Sequence, residues 1–283
     1  MVGRGIALAL AGVLLLTPDT ALMRLSGLDG AAMLAWRGLM SGAVFFGLWA
    51  TSRAGGDLRR LISPVGLGAA AAHGLNTICF TAGIAAAPVA VVLVALATTP
   101  VWAALLSRAL LGERVQRATW VATGLVLIGI AIAVSGETAG DFAPGAVLIG
   151  GVLGLACAVL MGLTFVLFRM APDLPVMLAM GCGALLSGLG AVAFTGTDAM
   201  GQGVLWPIVL AGAVILPFSF LALSLATRLT QAANVSLILL LETVLGPLWV
   251  WWAVGEVPGP AMWIGGGVVV VSLAGYILMA DRA

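Results

Sequence analysis

The sequence predicts an all-α integral membrane protein in which ten transmembrane helices form two inverted five-helix repeats around a central cavity. Its composition, its apolar runs of spanning length and an internal similarity predict this fold. Of the 283 residues, 62% are hydrophobic and 8% are charged, whereas roughly a quarter of the residues in a soluble domain are charged. Lipid cannot satisfy backbone polar groups, and the long unbroken apolar runs indicate helices rather than the alternating strands of a barrel.

The apolar runs have the length of membrane spans, about 20 residues each. Polar residues, glycine or proline separate them, most tightly at Ala87-Pro88 and between Gly255 and Pro260. The predicted spans lie near 5–25, 31–52, 65–86, 89–111, 117–136, 144–169, 175–196, 204–227, 232–254 and 260–280.

Arginine predicts the orientation, because positively charged loops stay in the cytoplasm and the chain contains no lysine. With the N-terminus inside, the outer loops hold only Arg24. The inner loops and tails hold Arg4, Arg53, Arg59, Arg60, Arg108, Arg114, Arg117, Arg169, Arg228 and Arg282. We therefore expect a multi-pass protein of a bacterial-type cytoplasmic (inner) membrane, with both termini cytoplasmic.

An internal repeat becomes visible when the chain is laid on itself at an offset of 143 residues. The matched pairs are Gly112 with Gly255, Glu113 with Glu256, Trp120 with Trp263, Gly124 with Gly267 and Ala131 with Ala274. Each unit holds five spans, an odd number, so the second copy enters the membrane upside down relative to the first. The predicted repeats are 1–140 and 141–283, and chance similarity between apolar helices is the alternative.

Several classes of function lack support. A net charge of +1 leaves no basic surface for nucleic acid. Cys79, Cys157 and Cys182 lack paired spacing, so neither a disulfide framework nor a metal site is predicted. The chain has one histidine and lacks the H-E-x-x-H, G-x-S-x-G and Walker motifs, which argues against an enzyme and against a cofactor. The predicted partners are the lipid bilayer and a small molecule.

Four ionisable residues fall within predicted spans, namely Asp19, Arg37, His73 and Glu242. Each costs a few kcal/mol in hydrocarbon and is therefore a candidate for function. Asp19 and Arg37 both lie roughly 9 Å below the outer surface and can meet across the first helical hairpin. Their interaction is either a structural ion pair or a site where Arg37 receives a substrate carboxylate.

His73 and Glu242 lie near the bilayer midplane, where transport sites are commonly found. His73, Asn76, Thr77 and Phe80 share one helical face, which predicts a polar stripe directed away from lipid. Glu242 is the first candidate for proton exchange, because a carboxyl group held away from water can bind and release a proton as its surroundings change. The alternative is a protonated, hydrogen-bonded contact between helices.

Neutral residues at similar depth are weaker candidates. Thr98, Thr99 and Asn234 offer hydrogen bonds and Trp102 an aromatic wall, as in a small-molecule cavity. Threonine hydroxyls in membrane helices also bond back to their own helix, which is the alternative. Glu113, with Arg108, Arg114 and Arg117 nearby, is interpreted as part of a solvated cluster at the inner surface.

The chain resembles the EamA-type members of the drug/metabolite transporter superfamily over nearly its full length. The resemblance depends on the ten spans, the similar halves, the L-L-G-E segment Leu110–Glu113, its counterpart Val254–Glu256, and Glu242 fourteen residues before Glu256. The family usually has Glu-Pro where this chain has Glu242-Thr243, and its proline comes later at Pro247.

This resemblance implies a secondary transporter that works by alternating access, with spans three, four, eight and nine around the cavity and spans five and ten as buttresses. We expect an exporter of a small metabolite or amphiphilic organic solute, with protons as a candidate coupling ion. A substrate carboxylate would suit Arg37, which favours an amino acid or a related compound. A passive channel, a structural membrane subunit and, less favoured, a membrane-embedded enzyme remain alternatives, and monomer and homodimer are both left open.

Overall fold

The protein is helical throughout the part that the structure, a computed structural model, describes: residues 2–52, 58–87, 89–135, 145–255 and 260–280. The α-helices are α1 (Val2–Leu16), α2 (Asp19–Ser26), α3 (Gly30–Thr51), α4 (Leu58–Leu61), α5 (Pro64–Ala86), α6 (Val89–Leu96), α7 (Thr99–Leu111), α8 (Arg117–Ser135), α9 (Ala146–Met170), α10 (Val176–Thr195), α11 (Leu205–Leu210), α12 (Leu216–Leu229), α13 (Ala232–Leu239), α14 (Leu241–Val254) and α15 (Pro260–Ala280). A 3-10 turn covers Asp198–Gly201, and a π-helical turn, Ala211–Ile215, joins α11 to α12. The predicted all-α class is confirmed for these residues.

Seven helical segments among the described residues are long and apolar enough to cross a membrane, so the chain is a multi-pass membrane protein. They are Gly3–Ser26, Gly30–Thr51, Pro64–Ala86, Leu148–Met170, Val176–Thr195, Leu205–Leu229 and Ala232–Ala253. Three shorter apolar helices are Thr99–Leu111, Arg117–Ile132 and Trp263–Tyr276. Four residues used in the sequence predictions lie outside the described residues. They are Pro88 at a predicted break, Arg53 and Arg282 in a predicted inner loop and tail, and Glu256 in the repeat match.

Two of the three helix breaks inside the predicted spans follow from proline. Pro18 separates α1 from α2 because it has no N–H to donate, and the hydroxyl of Thr17 donates to Leu14 O at 2.9 Å instead. Pro100 lies in the first turn of α7, where the missing N–H is tolerated but α6 cannot continue. The break at Leu240 between α13 and α14 contains no proline. Discontinuous helices are typical of transporter sites, and all three breaks fall inside predicted spans.

Glycine contacts hold α3, α5 and α10 close together. A Cβ on Gly38 of α3 would lie 2.6 Å from the backbone nitrogen of Gly188 on α10, and a Cβ on Gly74 of α5 would lie 2.8 Å from Gly183 O on the same helix. Any side chain at Gly38 or Gly74 would therefore force the helices apart. This packing fixes the rotation of α3, which carries Arg37.

Candidate functional site: the central cavity

A cavity lies in the middle of the bundle, between residues from both halves of the chain. It is lined by Leu16, Asp19, Arg37, Ser41, Phe45, His73, Asn76, Thr77, Phe80, Leu96, Met161, Leu216, Phe220 and Glu242. Seven of the residues predicted from the sequence line it: Asp19, Arg37, His73, Asn76, Thr77, Phe80 and Glu242. Its volume is about 40 Å³, which is room for a few water molecules. A metabolite could therefore enter this cavity only after the helices separate.

The strongest polar contact in the cavity is the ion pair between Asp19 and Arg37. Arg37 Nη1 donates to Asp19 Oδ1 at 2.7 Å, and the two side chains are only 2% and 4% exposed. Asp19 begins α2, so its carboxylate also lies at a helix N-terminus, which favours the negative charge. The buried Nε of Arg37 has no hydrogen-bond partner among the described residues. That free donor is what a substrate carboxylate would require.

Glu242 faces the same cavity from the first turn of α14. It is 8% exposed and within electrostatic reach of both Asp19 and Arg37. The three groups together carry two carboxylates and one guanidinium. When all are ionised the sum is one negative charge, and one bound proton makes the group neutral. Because uncompensated charge is costly in lipid, the cavity is suited to hold either a proton or a cationic group of a ligand.

The polar face of α5 both lines the cavity and forms contacts between helices. The ring of His73 packs edge-on against Phe220, with ring centroids 5.3 Å apart. Asn76 Nδ2 donates to Cys157 O at 2.9 Å, which ties α5 to α9. The hydroxyl of Thr77 donates to His73 O at 3.0 Å, within its own helix. His73 is therefore a wall of the cavity, while Asn76 and Thr77 have backbone partners.

Three predicted residues of the fourth span do not line the cavity. The hydroxyl of Thr98 donates to Ala95 O at 2.7 Å and that of Thr99 to Leu96 O at 2.5 Å. Both threonines thus bond back to their own chain at the break between α6 and α7. Trp102 packs on an apolar cluster of α6 and α9 that includes Cys157. Among the described residues of this span, Leu96 reaches the cavity.

Asn234, another predicted site residue, belongs to a separate polar network. Its Nδ2 donates to Thr230 Oγ1 at 3.0 Å, and its Oδ1 accepts from Thr119 Oγ1 at 3.2 Å. The Thr119 hydroxyl also lies 3.5 Å from the Tyr276 hydroxyl. These bonds join α13 to α8 and α15, so Asn234 connects helices away from the cavity.

Several cavity residues were not predicted from the sequence. Ser41 and Phe45 lie one and two turns after Arg37 on α3, and the Ser41 hydroxyl donates to Arg37 O at 2.6 Å. The spacing of Arg37, Ser41 and Phe45 is a signal that a helical-face argument could have used. Leu16, Met161, Leu216 and Phe220 carry no such signal, because apolar residues in an apolar span do not reveal which neighbour they face.

A second ion pair corrects the interpretation of Glu113. Arg169 Nη2 lies 2.6 Å from Glu113 Oε1, and both side chains are 23% exposed. Arg169 Nη1 also donates to Thr227 O at 3.0 Å and Thr230 O at 2.7 Å. Gly112, with a φ of 68°, ends α7 in the left-handed conformation and turns the chain at Glu113. Glu113 therefore joins the ends of α7, α9 and α12 instead of belonging to a solvated arginine cluster.

Comparisons with known proteins bear on both the family and the fold. Residues 3–135 match the EamA-like transporter family, which confirms the predicted resemblance for that part of the chain. Among solved structures, 27 chains match. One crystal structure of a protein matches with 20% identity and a TM-score of 0.80, covering 98% of this chain and 97% of its own. At that identity the likeness shows the fold alone. None of the curated proteins matches.

Proposed function

We propose that this chain, whose residues 3–135 match the EamA-like transporter family, is a secondary transporter that exports a small metabolite or amphiphilic organic solute by alternating access. The observation that carries this proposal is the buried group of Asp19, Arg37 and Glu242 around one cavity. Ionisable side chains inside membrane spans are costly, and such groups mark substrate or ion pathways.

The transporter is proposed to have ten spans in two inverted repeats, 1–140 and 141–283. Helix α13 (Ala232–Leu239) begins and ends 143 residues after α6 (Val89–Leu96), so the same break recurs in the second half. The left-handed glycines Gly112 and Gly255, which follow α7 and α14, have the same offset. These matched positions support the repeat. An odd number of spans in each unit makes the units inverted.

The arginine-rich end of the bundle is proposed to be cytoplasmic, in an inner membrane with both chain termini on that side. Three arginines near helix ends at this face, Arg60, Arg169 and Arg228, donate hydrogen bonds to backbone carbonyls of neighbouring segments. Positive residues of this kind are retained in the cytoplasm. Reporter tags on the two termini test this orientation, and tags found on opposite faces of the membrane would contradict it.

A substrate with both a carboxylate and an amine fits the charges of the cavity. Arg37 would receive the carboxylate, and Glu242 or Asp19 the amine. His73, Phe80 and Phe220 supply aromatic surface beside them. An amino acid or a related compound is therefore the proposed substrate class, with Glu242 as the group that exchanges protons during the transport cycle.

The first experiment is counterflow in proteoliposomes. Vesicles loaded with unlabelled amino acids receive a labelled L-amino acid mixture outside, and a carrier speeds the exchange of label against the trapped pool. In a carrier, this exchange makes the label accumulate transiently inside the vesicles, whereas a channel only lets the label equilibrate. Absence of any acceleration over protein-free vesicles contradicts the proposed substrate class.

Replacing Glu242→Gln tests proton coupling. We expect it to abolish uptake driven by an imposed pH gradient while the protein remains folded, because the amide keeps the shape but cannot bind a proton. Asp198→Asn is the matched control, since Asp198 is an exposed carboxylate in the 3-10 turn, away from the cavity. Unchanged pH-driven uptake by the Glu242→Gln protein would remove Glu242 from the mechanism.

A further inference from the structure

A second, larger space lies at the arginine-rich end of the bundle, and we call it the cleft. Its volume is about 370 Å³, whereas the cavity has about 40 Å³. The cleft is lined by Trp49, Ser52, Arg60, Pro172, Asp173, Leu174, Pro175, Val176, Met177, Leu221, Leu225 and Arg228. Its volume is within the range of small-molecule sites, about 300 to 1,000 Å³. No site at these residues was predicted from the sequence.

The cleft and the cavity lie in the same order along two helices. On α3, Phe45 lines the cavity and Trp49 lines the cleft. On α12, Phe220 lines the cavity, and Leu221 and Leu225 line the cleft. The step from cavity to cleft is four residues on α3, a rise of about 6 Å, and only one residue on α12. The cleft therefore lies beyond the cavity toward the arginine-rich end and within about one helical turn of it.

Phe45 and Phe220 are the cavity residues of α3 and α12 that come nearest the cleft along each helix, and we call them the apolar layer. Phe45 is 1% exposed and Phe220 is 9% exposed. His73 packs against the Phe220 ring from the cavity side. Because α3 and α12 are in contact, two large buried rings at the cleft side of the cavity are suited to close a narrow path to water and to polar solutes.

The lining of the cleft changes from polar to apolar toward this layer. At the mouth, Arg60 Nη1 donates to Asp173 O at 3.1 Å and lies 3.4 Å from its carboxylate. Arg228 Nη2 donates to Leu174 O at 2.6 Å, and its buried Nε has no hydrogen-bond partner among the described residues. One and two turns deeper on α12 are Leu225 and Leu221. Two guanidinium groups against one carboxylate leave the mouth with a positive charge.

We propose that the cleft is the vestibule through which a solute with an anionic group passes between the arginine-rich face and the central cavity, and that Phe45 and Phe220 form the barrier between the two spaces. The role of a vestibule rests on the proposed transport function. The geometry of the cleft does not depend on which solute is carried. The positive mouth attracts the anionic group, and the apolar wall accepts the remainder of an amphiphilic solute.

Cysteine labelling tests the barrier without a known substrate. In a background where Cys79, Cys157 and Cys182 are alanine, Ser41→Cys places a thiol in the cavity. Vesicles that expose the arginine-rich face receive a negatively charged methanethiosulfonate reagent. We expect Phe220→Ala to speed labelling about tenfold, since a barrier lower by about 1.4 kcal/mol gives that factor. Phe218→Ala, a lipid-facing change on the same helix with 43% of the side chain exposed, is the matched control and leaves the rate unchanged.

A blocking variant shows whether the reagent uses the cleft. Adding Leu225→Trp to the Phe220→Ala protein narrows the cleft above the opened barrier, so the labelling rate should fall back toward its original value. If Phe220→Ala does not yield folded protein, Phe45→Ala opens the same layer. If truncating Phe220 or Phe45 leaves the labelling rate unchanged, the two rings are not the barrier. If labelling becomes fast and Leu225→Trp does not slow it, the cleft is not the route.

The charge of the mouth is tested by comparing two reagents of opposite charge. Arg228→Gln and Arg60→Gln should lower the labelling rate for the anionic methanethiosulfonate and raise it for the cationic analogue. An unchanged ratio of the two rates overturns the preference for anions. Labelling requires no transport, so failed counterflow with successful labelling rejects the proposed function alone, and the reverse result rejects the vestibule alone.

Discussion

Two ion pairs with similar geometry occupy different surroundings in this protein. Arg37 and Asp19 are 2.7 Å apart and at most 4% exposed, whereas Arg169 and Glu113 are 2.6 Å apart and 23% exposed. Arg169 also donates to two backbone carbonyls, while the buried Nε of Arg37 has no partner. Distance alone therefore does not describe the role of a pair. The buried pair depends on its partner for charge compensation, and the outer pair has other acceptors and partial access to water.

Replacing Arg37 should give the largest change in the free energy of unfolding. Arg37→Leu leaves Asp19 as an uncompensated carboxylate in the bundle, and removing one partner of a buried pair costs about 3 to 5 kcal/mol. We expect this loss in the free energy of unfolding measured in detergent. Removing both charges in Asp19→Leu/Arg37→Leu should recover most of it. A double variant no more stable than the single one would contradict the compensation argument.

A smaller effect is expected when Glu113 is changed to glutamine. Arg169 keeps its bonds to Thr227 O and Thr230 O, so the loss should be about 1 kcal/mol, between the values for exposed pairs and for charged hydrogen bonds. The same unfolding measurement in detergent tests this. A loss as large as that of Arg37→Leu would show that exposure does not separate the two pairs.

The smallest effect is expected at Arg60 and Asp173, the most exposed pair. Their charged atoms are 3.4 Å apart, and the side chains are 52% and 79% exposed. Asp173→Asn should change the free energy of unfolding by less than about 0.5 kcal/mol, because water and salt screen such pairs. Unfolding midpoints at low and high salt give the measurement. A loss above that of Glu113→Gln would reverse the order that burial predicts.

Much of the candidate site could be predicted because ionisable residues stand out in an apolar chain. Asp19 and Arg37 were expected to meet across the first hairpin, and they form an ion pair there. The face from His73 to Phe80 and the carboxyl of Glu242 line the same cavity. These residues are recognisable since each is costly unless it faces protein or water. Whether they bind substrate remains a prediction.

Other residues could not be assigned from depth alone. Thr98, Thr99 and Asn234 lie at suitable heights, yet their bonds go to their own chain or to helices away from the cavity. The break between α6 and α7 changes the local backbone geometry beside Thr98 and Thr99, and helical spacing through a break does not tell which face a residue takes. Glu113 was misassigned for a related reason, because its partner Arg169 is distant in the sequence.

The sequence by itself determined that the chain crosses a membrane several times and where ionisable groups lie along its apolar segments, because hydropathy is a property of consecutive residues. It also predicted the repeat, which stays a proposal supported by glycines that recur at one offset. Only the tertiary structure decided which side chains share the cavity, which arginine meets Glu113, and that α3 and α12 each line two spaces in succession. Those contacts depend on the rotation and close approach of helices, which glycine contacts such as that of Gly38 with Gly188 set between segments far apart in the chain.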